Sequence, residues 1–338
     1  MATAARPLEA ARSRRVVAVV ALAALIASAA VVGATLLQTR GETTSIPGAV
    51  THPRSGPPLL QLEFGVRTDP EARALAQAQT LFDRDRRAAQ AAAIFRRYHS
   101  VEAQLGSAFA AWRGASSLAA VEKIATEHPN DPAALLNLGW AEYQAGRNAD
   151  AAAAWRKTAA RYPDSPYAVD AENALHGGPP NLPPILTGLA LPEAIANLPA
   201  AQQVAALKRA AAGNDVQAKL LYGTVLWNGL RRPISARREL VAAAKLAPHD
   251  PVARSAAAVA LFSKANPTPA FAHLGPLTAV FPHSAAVQFH LGGLLVYIGD
   301  YPKAAKHLRA ALADGGPHSP YAKDARTLLA SLARSRSK

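Results

Sequence analysis

Residues 130–175 read NDPAALLNLGWAEYQAGRNADAAAAWRKTAARYPDSPYAVDAENAL. The apolar positions follow a helical period, break at Gly146, resume, and stop at Pro163 before restarting. Two short helices joined by a tight turn explain that pattern, because glycine and proline are the strongest local punctuators of a helical run. From Asp131 to Ser165 the unit is 34 residues long. Helix pairs of that length bury their apolar faces only by stacking on neighbours. The chain is therefore expected to be an all-α repeat protein.

Helix starts locate the other units. An Asp or Ser side chain accepts a bond from an early orphan N–H, and a following proline has no N–H to sacrifice. This device occurs at Asp69-Pro70, Asp131-Pro132, Ser165-Pro166, Asp250-Pro251 and Ser319-Pro320, with weaker starts at Ser100, Asp215 and Ser284. Starts at 69, 100, 131 and 165 are spaced 31, 31 and 34 residues; those at 215, 250, 284 and 319 are spaced 35, 34 and 35. Three capped units and a final helix thus occur twice. The final segments also match: Asp164-Ser165-Pro166-Tyr167-Ala168 and Asp170-Ala171 recur as His318-Ser319-Pro320-Tyr321-Ala322 and Asp324-Ala325. The helices expected at 165–175 and 319–334 would cap the last apolar face of each stack. Duplication of a three-unit block accounts for the match; convergence on common cap chemistry is the alternative.

Leu138-Gly139, Tyr143, Gly146, Ala151, Trp155 and Pro163 resemble the signature of the tetratricopeptide repeat family. Leu291-Gly292, Gly299, Tyr301, Ala304 and Ala311 resemble it again in the last full unit, while the other units keep less: Leu105-Gly106 and Gly114 in the second, Gly223 and Ala236 in the fifth, Ala270 in the sixth. The resemblance implies antiparallel helix pairs stacked as a solenoid, with glycine and alanine where a larger side chain would overlap a facing backbone. It also implies that the first helix of each unit lines a concave face where the family binds extended peptides or partner helices. On that reading Asn137, Trp140, Tyr143 and Gln144 face the groove in the third unit. Trp227 and Asn228 do so in the fifth, Phe262 in the sixth, and Phe289 and Tyr297 in the last. An asparagine there can bond a peptide main chain through both its donor and its acceptor. The competing account packs the aromatics, Trp140 and Trp227 above all, into the core.

Composition narrows the chemistry. Of 338 residues, 50% are hydrophobic but only 6% aromatic, so alanine and leucine must carry the packing. The absence of cysteine excludes disulfides, thiolate metal sites, a cysteine nucleophile and a lipid-modified N-terminal cysteine. His99, His249, His283 and His318 each sit just before a helix start, which suits turns better than metal binding. No phosphate-binding glycine loop follows a strand pattern, and no catalytic constellation is legible. No cofactor, metal or enzymatic activity is expected, and no nucleic acid.

Val16–Leu37 is 22 residues without a charge, preceded by Arg12, Arg14 and Arg15. A helix of that length reaches about 33 Å, enough for a hydrocarbon core of about 30 Å. The basic flank predicts residues 1–15 as a cytoplasmic tail, 16–37 as a transmembrane signal anchor, and the repeats outside the cytoplasm. A cleaved signal peptide ending at Ala27-Ser28-Ala29 is the alternative, giving a secreted repeat protein; the apolar run continues past that point. Ser13-Arg14-Arg15-Val16-Val17 also resembles a twin-arginine export signal. Residues 38–68 follow as a Pro/Gly-rich spacer, 69–176 as the first block, 177–199 as a Pro-rich connector, and 200–338 as the second block with its C-terminal capping helix. Six prolines prevent a long helix in the connector, yet Leu182, Ile185, Leu186, Leu189, Leu191, Ile195 and Leu198 predict that it packs against a block.

Charge is distributed unevenly. Residues 61–176 carry 13 basic against 14 acidic side chains, and residues 177–338 carry 18 against 7. A basic patch of Lys208, Arg209, Lys219, Arg231, Arg232, Arg237 and Arg238 is expected in the second block, either functional or simply solvated. Together these features predict a single-pass, membrane-anchored, non-catalytic scaffold of the bacterial envelope, recruiting a protein or peptide partner. The second reading is an electrostatic binder of an anionic envelope polymer or surface through the basic block.

Overall fold

The computed structural model describes residues 52–84 and 87–336. The expected anchor at 16–37 lies outside the described residues. Among those described, no helix is long and apolar enough to cross a membrane. The described chain is helical and without strands, and it divides at Gly177/Gly178 into two compact units, each with its own apolar core.

In the first unit the helices are α1 (Pro70–Asp83), α2 (Ala88–Phe95), α3 (Val101–Ala110), α4 (Leu118–Glu127), α5 (Pro132–Gln144), α6 (Asn148–Arg161) and α7 (Pro166–His176). The second unit holds α8 (Glu193–Ala196), α9 (Ala200–Ala210), α10 (Val216–Thr224), α11 (Pro233–Leu246), α12 (Pro251–Val259), α13 (Thr268–Leu274), α14 (Leu277–Val280), α15 (Ala285–Tyr297), α16 (Tyr301–Gly315) and α17 (Ala322–Arg336). Consecutive helices pair: α1 with α2, α5 with α6, α10 with α11, α15 with α16. The result is a tetratricopeptide-like stack of helix pairs in each unit.

The cap chemistry works as the spacing predicts. Asp69, Ser100, Asp131, Ser165, Asp215, Asp250 and Ser284 each accept a bond from a backbone N–H two or three residues on, at the start of a helix. Ser319 differs. Its hydroxyl accepts from Tyr321 within a turn, and the helix starts later, at Ala322.

The glycines explain how tightly the pairs approach. A Cβ on Gly139 would lie 2.4 Å from the Trp155 indole nitrogen, and one on Gly292 2.8 Å from Leu308 Cγ. Gly223 meets Leu240 at 2.7 Å in the same way. The obstacle is thus mainly a large side chain from the second helix of the pair rather than the facing backbone. Gly106 differs: it lies six residues past its cap where Gly139, Gly223 and Gly292 lie eight, and it faces Phe95 of the preceding pair at 2.4 Å. Turns between paired helices pass through the left-handed region at Gly146 (φ 84°) and Gly299 (φ 79°). In the α10/α11 pair the first helix ends in a π-helical turn, Val225–Gly229, that adds one residue, and Arg231 takes the left-handed position (φ 49°).

Residues 52–68 correct the expectation of a free spacer. Pro58, Leu60 and Leu62 are buried while Pro57 and Leu59 are exposed, the period-2 alternation of an extended segment with one face on a surface. Residues 182–186 lie extended in the second unit after a bend at 178–181, with Pro183, Ile185 and Leu186 buried. Each unit therefore contains a docked, extended, proline-rich arm as well as its helix pairs.

Candidate functional site

Helix α5 presents Asn137, Trp140 and Gln144 at i, i+3 and i+7, a spacing that puts them along one face. The first arm crosses this face. Asn137 is fully buried; its Oδ1 accepts from the Gln61 backbone N–H (2.9 Å), and its Nδ2 donates to the Gln61 carbonyl (2.7 Å) and to the Ala133 carbonyl (2.9 Å). Trp140 Nε1 donates to Gln61 Oε1 (2.7 Å). Gln144 Nε2 donates to the carbonyls of Ser55 (2.7 Å) and Gly56 (2.8 Å), and the Gln144 carbonyl accepts from Arg54 N–H (2.8 Å). The Arg54 guanidinium stacks 3.5 Å above the Tyr143 ring and donates to the Tyr143 carbonyl and to Asn148 Oδ1. On α1, Gln79 donates to the Leu60 carbonyl (3.1 Å). Most of these bonds read main chain, the part of a peptide that every sequence shares.

The second unit repeats the arrangement with other residues. Asn228 accepts from Ile185 N–H (3.1 Å) and donates to the Ile185 carbonyl (2.7 Å), the same two-way clamp that Asn137 makes. Trp227 Nε1 donates to the Pro183 carbonyl (2.7 Å), and the Tyr297 hydroxyl reaches the carbonyls of Pro180 (3.1 Å) and Leu182 (2.8 Å). Lys264 Nζ donates to the Pro179 carbonyl (2.6 Å). His290 is completely enclosed, and burial pushes its pKa down to about 3. It is therefore neutral. Nε2 accepts from Leu186 N–H (3.0 Å), which leaves the ring proton on Nδ1 to donate to Ser255 Oγ (2.9 Å).

Counting from the helix caps shows that the two grooves are one design. Asn137 and His290 each lie six residues past the cap, at 131 and 284; Gln144, Asn228 and Tyr297 each lie thirteen past theirs, at 131, 215 and 284. Both arms also run the same way against the last full pair. Gln61 meets position six while Ser55 and Gly56 meet position thirteen; Leu186 meets position six while Pro180 and Leu182 meet position thirteen. Each arm thus runs antiparallel to the first helix of that pair. Prolines suit this role because they pre-order an extended backbone, so less conformational freedom is lost on docking.

Among the side chains expected in a groove, Asn137, Trp140, Tyr143, Gln144, Asn228 and Tyr297 touch an arm. Trp227 is fully buried and donates its indole N–H to its arm, so groove and core are not alternatives there. Trp140 is half-buried and packs edge-on to Trp155 with ring centroids 4.9 Å apart. Phe262 and Phe289 are corrections. Both are core: Phe262 lies 5.7 Å from the Tyr297 ring, and Phe289 5.6 Å from Tyr321 of the capping segment. Arg54, Gln79, Lys264 and His290 were not legible as groove residues; the six-and-thirteen spacing from each cap was the available signal for His290.

The expected basic patch is also corrected. Lys219 is buried, donating to the Ala211 carbonyl (2.6 Å) with Glu239 3.5 Å away. Arg231 donates to Asn181 in the second arm (3.1 Å), and Arg237 to the Ala260 carbonyl at the end of α12 (2.9 Å). Lys208, Arg209, Arg232 and Arg238 are exposed, and Arg238 lies 3.2 Å from Glu239. Three of the seven cations therefore serve the fold.

No protein-family model matches the chain, and no curated protein matches it in sequence. Among solved structures, yeast Tom70 is similar over 81% of this chain, at 12% identity and a TM-score of 0.32; the chain spans about half of Tom70, 52%. The TPR2AB domain of yeast Sti1, solved as a pHSP90 complex, is similar over 78% of this chain and 98% of its own, at 13% identity and a TM-score of 0.29. Likeness at that level adds nothing to what the helix pairs, caps and glycine contacts establish directly. Those define the protein as a two-unit, tetratricopeptide-like helical repeat protein.

Proposed function

We propose that this chain is a non-catalytic scaffold that holds partner proteins through extended segments, and that residues 16–37 anchor it in a membrane with the repeats outside the cytoplasm. One observation carries the binding reading: in both units, side chains at matching helix positions are aimed at the main chain of an extended segment. Main-chain reading with a few apolar pockets is a general mode of peptide capture. The anchor rests on the 22 uncharged residues behind three arginines. The electrostatic reading is weaker, since Lys219, Arg231 and Arg237 are engaged within the fold.

Photo-crosslinking in intact cells tests the scaffold role. A crosslinker placed at Gln144, on the groove wall, should capture another polypeptide, and one at Lys123 on helix α4 should not. Capture from Lys123 alone would move the partner surface away from the groove. Protease added to intact cells should reach the repeats and spare residues 1–15; a soluble mature chain beginning near Ala30 would refute the anchor.

A further inference from the structure

We infer that the first arm is an exchangeable resident ligand, and that its groove takes from a partner protein an extended segment of the arm's own chemistry. That chemistry is a proline and two leucines at alternate positions, as in Pro58, Leu60 and Leu62, with a cation upstream in the place of Arg54. The inference rests on the scaffold reading and specifies what the groove selects and what it must first release.

The resident arm supplies the recognition pattern. Pro58, Leu60 and Leu62 point inward, and Leu60 is fully enclosed. Asn137 clamps the main chain of Gln61 between the two leucines. Arg54 covers Tyr143, a cation–π contact that any arginine or lysine at that spacing can make. The second unit buries Pro183 and Ile185 at the same two-residue spacing as Pro58 and Leu60, with its own asparagine clamp on Ile185. A proline followed two positions later by a branched aliphatic is therefore what both grooves read.

The two arms differ in how they are held. The second is held by fully buried groups, Trp227 and His290, whereas the Gln144 bonds that hold Ser55 and Gly56 of the first are exposed. The first joins α1 through residues 63–68, where Gly65 is left-handed (φ 55°) and Arg67 N–H closes a turn onto the Phe64 carbonyl (3.0 Å). Rotation within that short link releases the first arm without disturbing a helix. The first groove is accordingly the one open to exchange, and a partner segment must compete with an intramolecular copy of itself.

The test uses the full chain and a labelled synthetic peptide with the sequence of residues 52–64. Leu60→Asp together with Leu62→Asp expels the arm and leaves the groove wall intact. That variant should bind the peptide at least tenfold more tightly than the parent, and Asn137→Ala added to it should abolish the gain. A peptide with both leucines changed to aspartate should not bind. If the double aspartate variant loses its helical signal, Leu60→Ala with Leu62→Ala provides the same comparison. A folded arm variant that binds no better than the parent, or equally well with and without Asn137, overturns the inference. So does a parent that forms dimers with the arm of one copy crosslinked into the groove of another, since the occupant would then be a second copy. Because the assay uses purified components, its failure leaves cellular crosslinking from Gln144 as an independent measure of the scaffold role.

Discussion

Replacing Asn137 by alanine removes three hydrogen bonds at once: two to the Gln61 main chain and one to the Ala133 carbonyl. Each net bond contributes about 0.5–1.5 kcal/mol, and a buried group left without a partner costs about 1–3 kcal/mol. The arm should therefore lose about 2–4 kcal/mol of docking free energy. Its remaining hold comes from burying Pro58, Leu60 and Leu62 and from bonds at Gln144 and Gln79, opposed by ordering the backbone at about 1–2 kcal/mol per residue. With terms so closely matched, a loss of that size falls mainly on the arm rather than on the helices. Amide hydrogen exchange measures this directly. At about 1.4 kcal/mol per factor of ten, the Gln61 N–H should exchange about 30- to 700-fold faster in the variant. Trypsin should also cut after Arg54 sooner. Protection of Gln61 unchanged from the parent, with a lowered melting temperature, would show that Asn137 serves the core and that the arm is held by something else.

Neighbouring glycines on α15 should respond oppositely to the same change. Gly292→Ala meets Leu308 and should destabilise by about 1–3 kcal/mol, whereas Gly293→Ala meets nothing within 4 Å and should stabilise by about 0.5–1 kcal/mol through helix propensity; paired denaturation curves decide both. Phe289→Ala, in the core, should cost about 3–5 kcal/mol, while Trp140→Ala should cost less globally and chiefly free the first arm, read by melting and by exchange at Gln61. Acid should weaken the second unit through His290. Its pKa is about 3 when folded against 6.5 ordinarily, so the stability it contributes is complete above pH 6.5 and is lost as the pH falls toward 3, by at most about 1.4 kcal/mol per pH unit. Burial raises Glu142 to about 7, which makes that group lose stability as the pH rises instead. The measurement is therefore the difference in pH slope between the parent and His290→Asn, which should be shallower on acidification; equal slopes would refute the role of the neutral ring.

The helix pairs were legible in the sequence because their signals are local. An Asp or Ser cap acts within three residues, an amphipathic period shows itself within a dozen, and Gly146 and Gly299 mark their turns by a backbone angle other residues resist. Asn137, Trp140 and Gln144 were legible as one face because helical spacing alone aligns them. What lies on that face was not legible. The first arm meets Asn137 at a separation of 76 residues, and the second meets His290 at 104. Proline-rich sequence without a helical period looks the same whether it is solvated or docked, because the bonds that dock it come from distant side chains to its main chain. The basic patch failed for a related reason: a count of cations along the sequence does not distinguish Arg232, in solvent, from Lys219, enclosed beside Glu239. The sequence by itself determined the helices, their caps and the repeat. Only the tertiary structure decided that each groove is filled by the protein's own extended arm, since that depends on which residues, far apart in the chain, are brought within hydrogen-bonding distance.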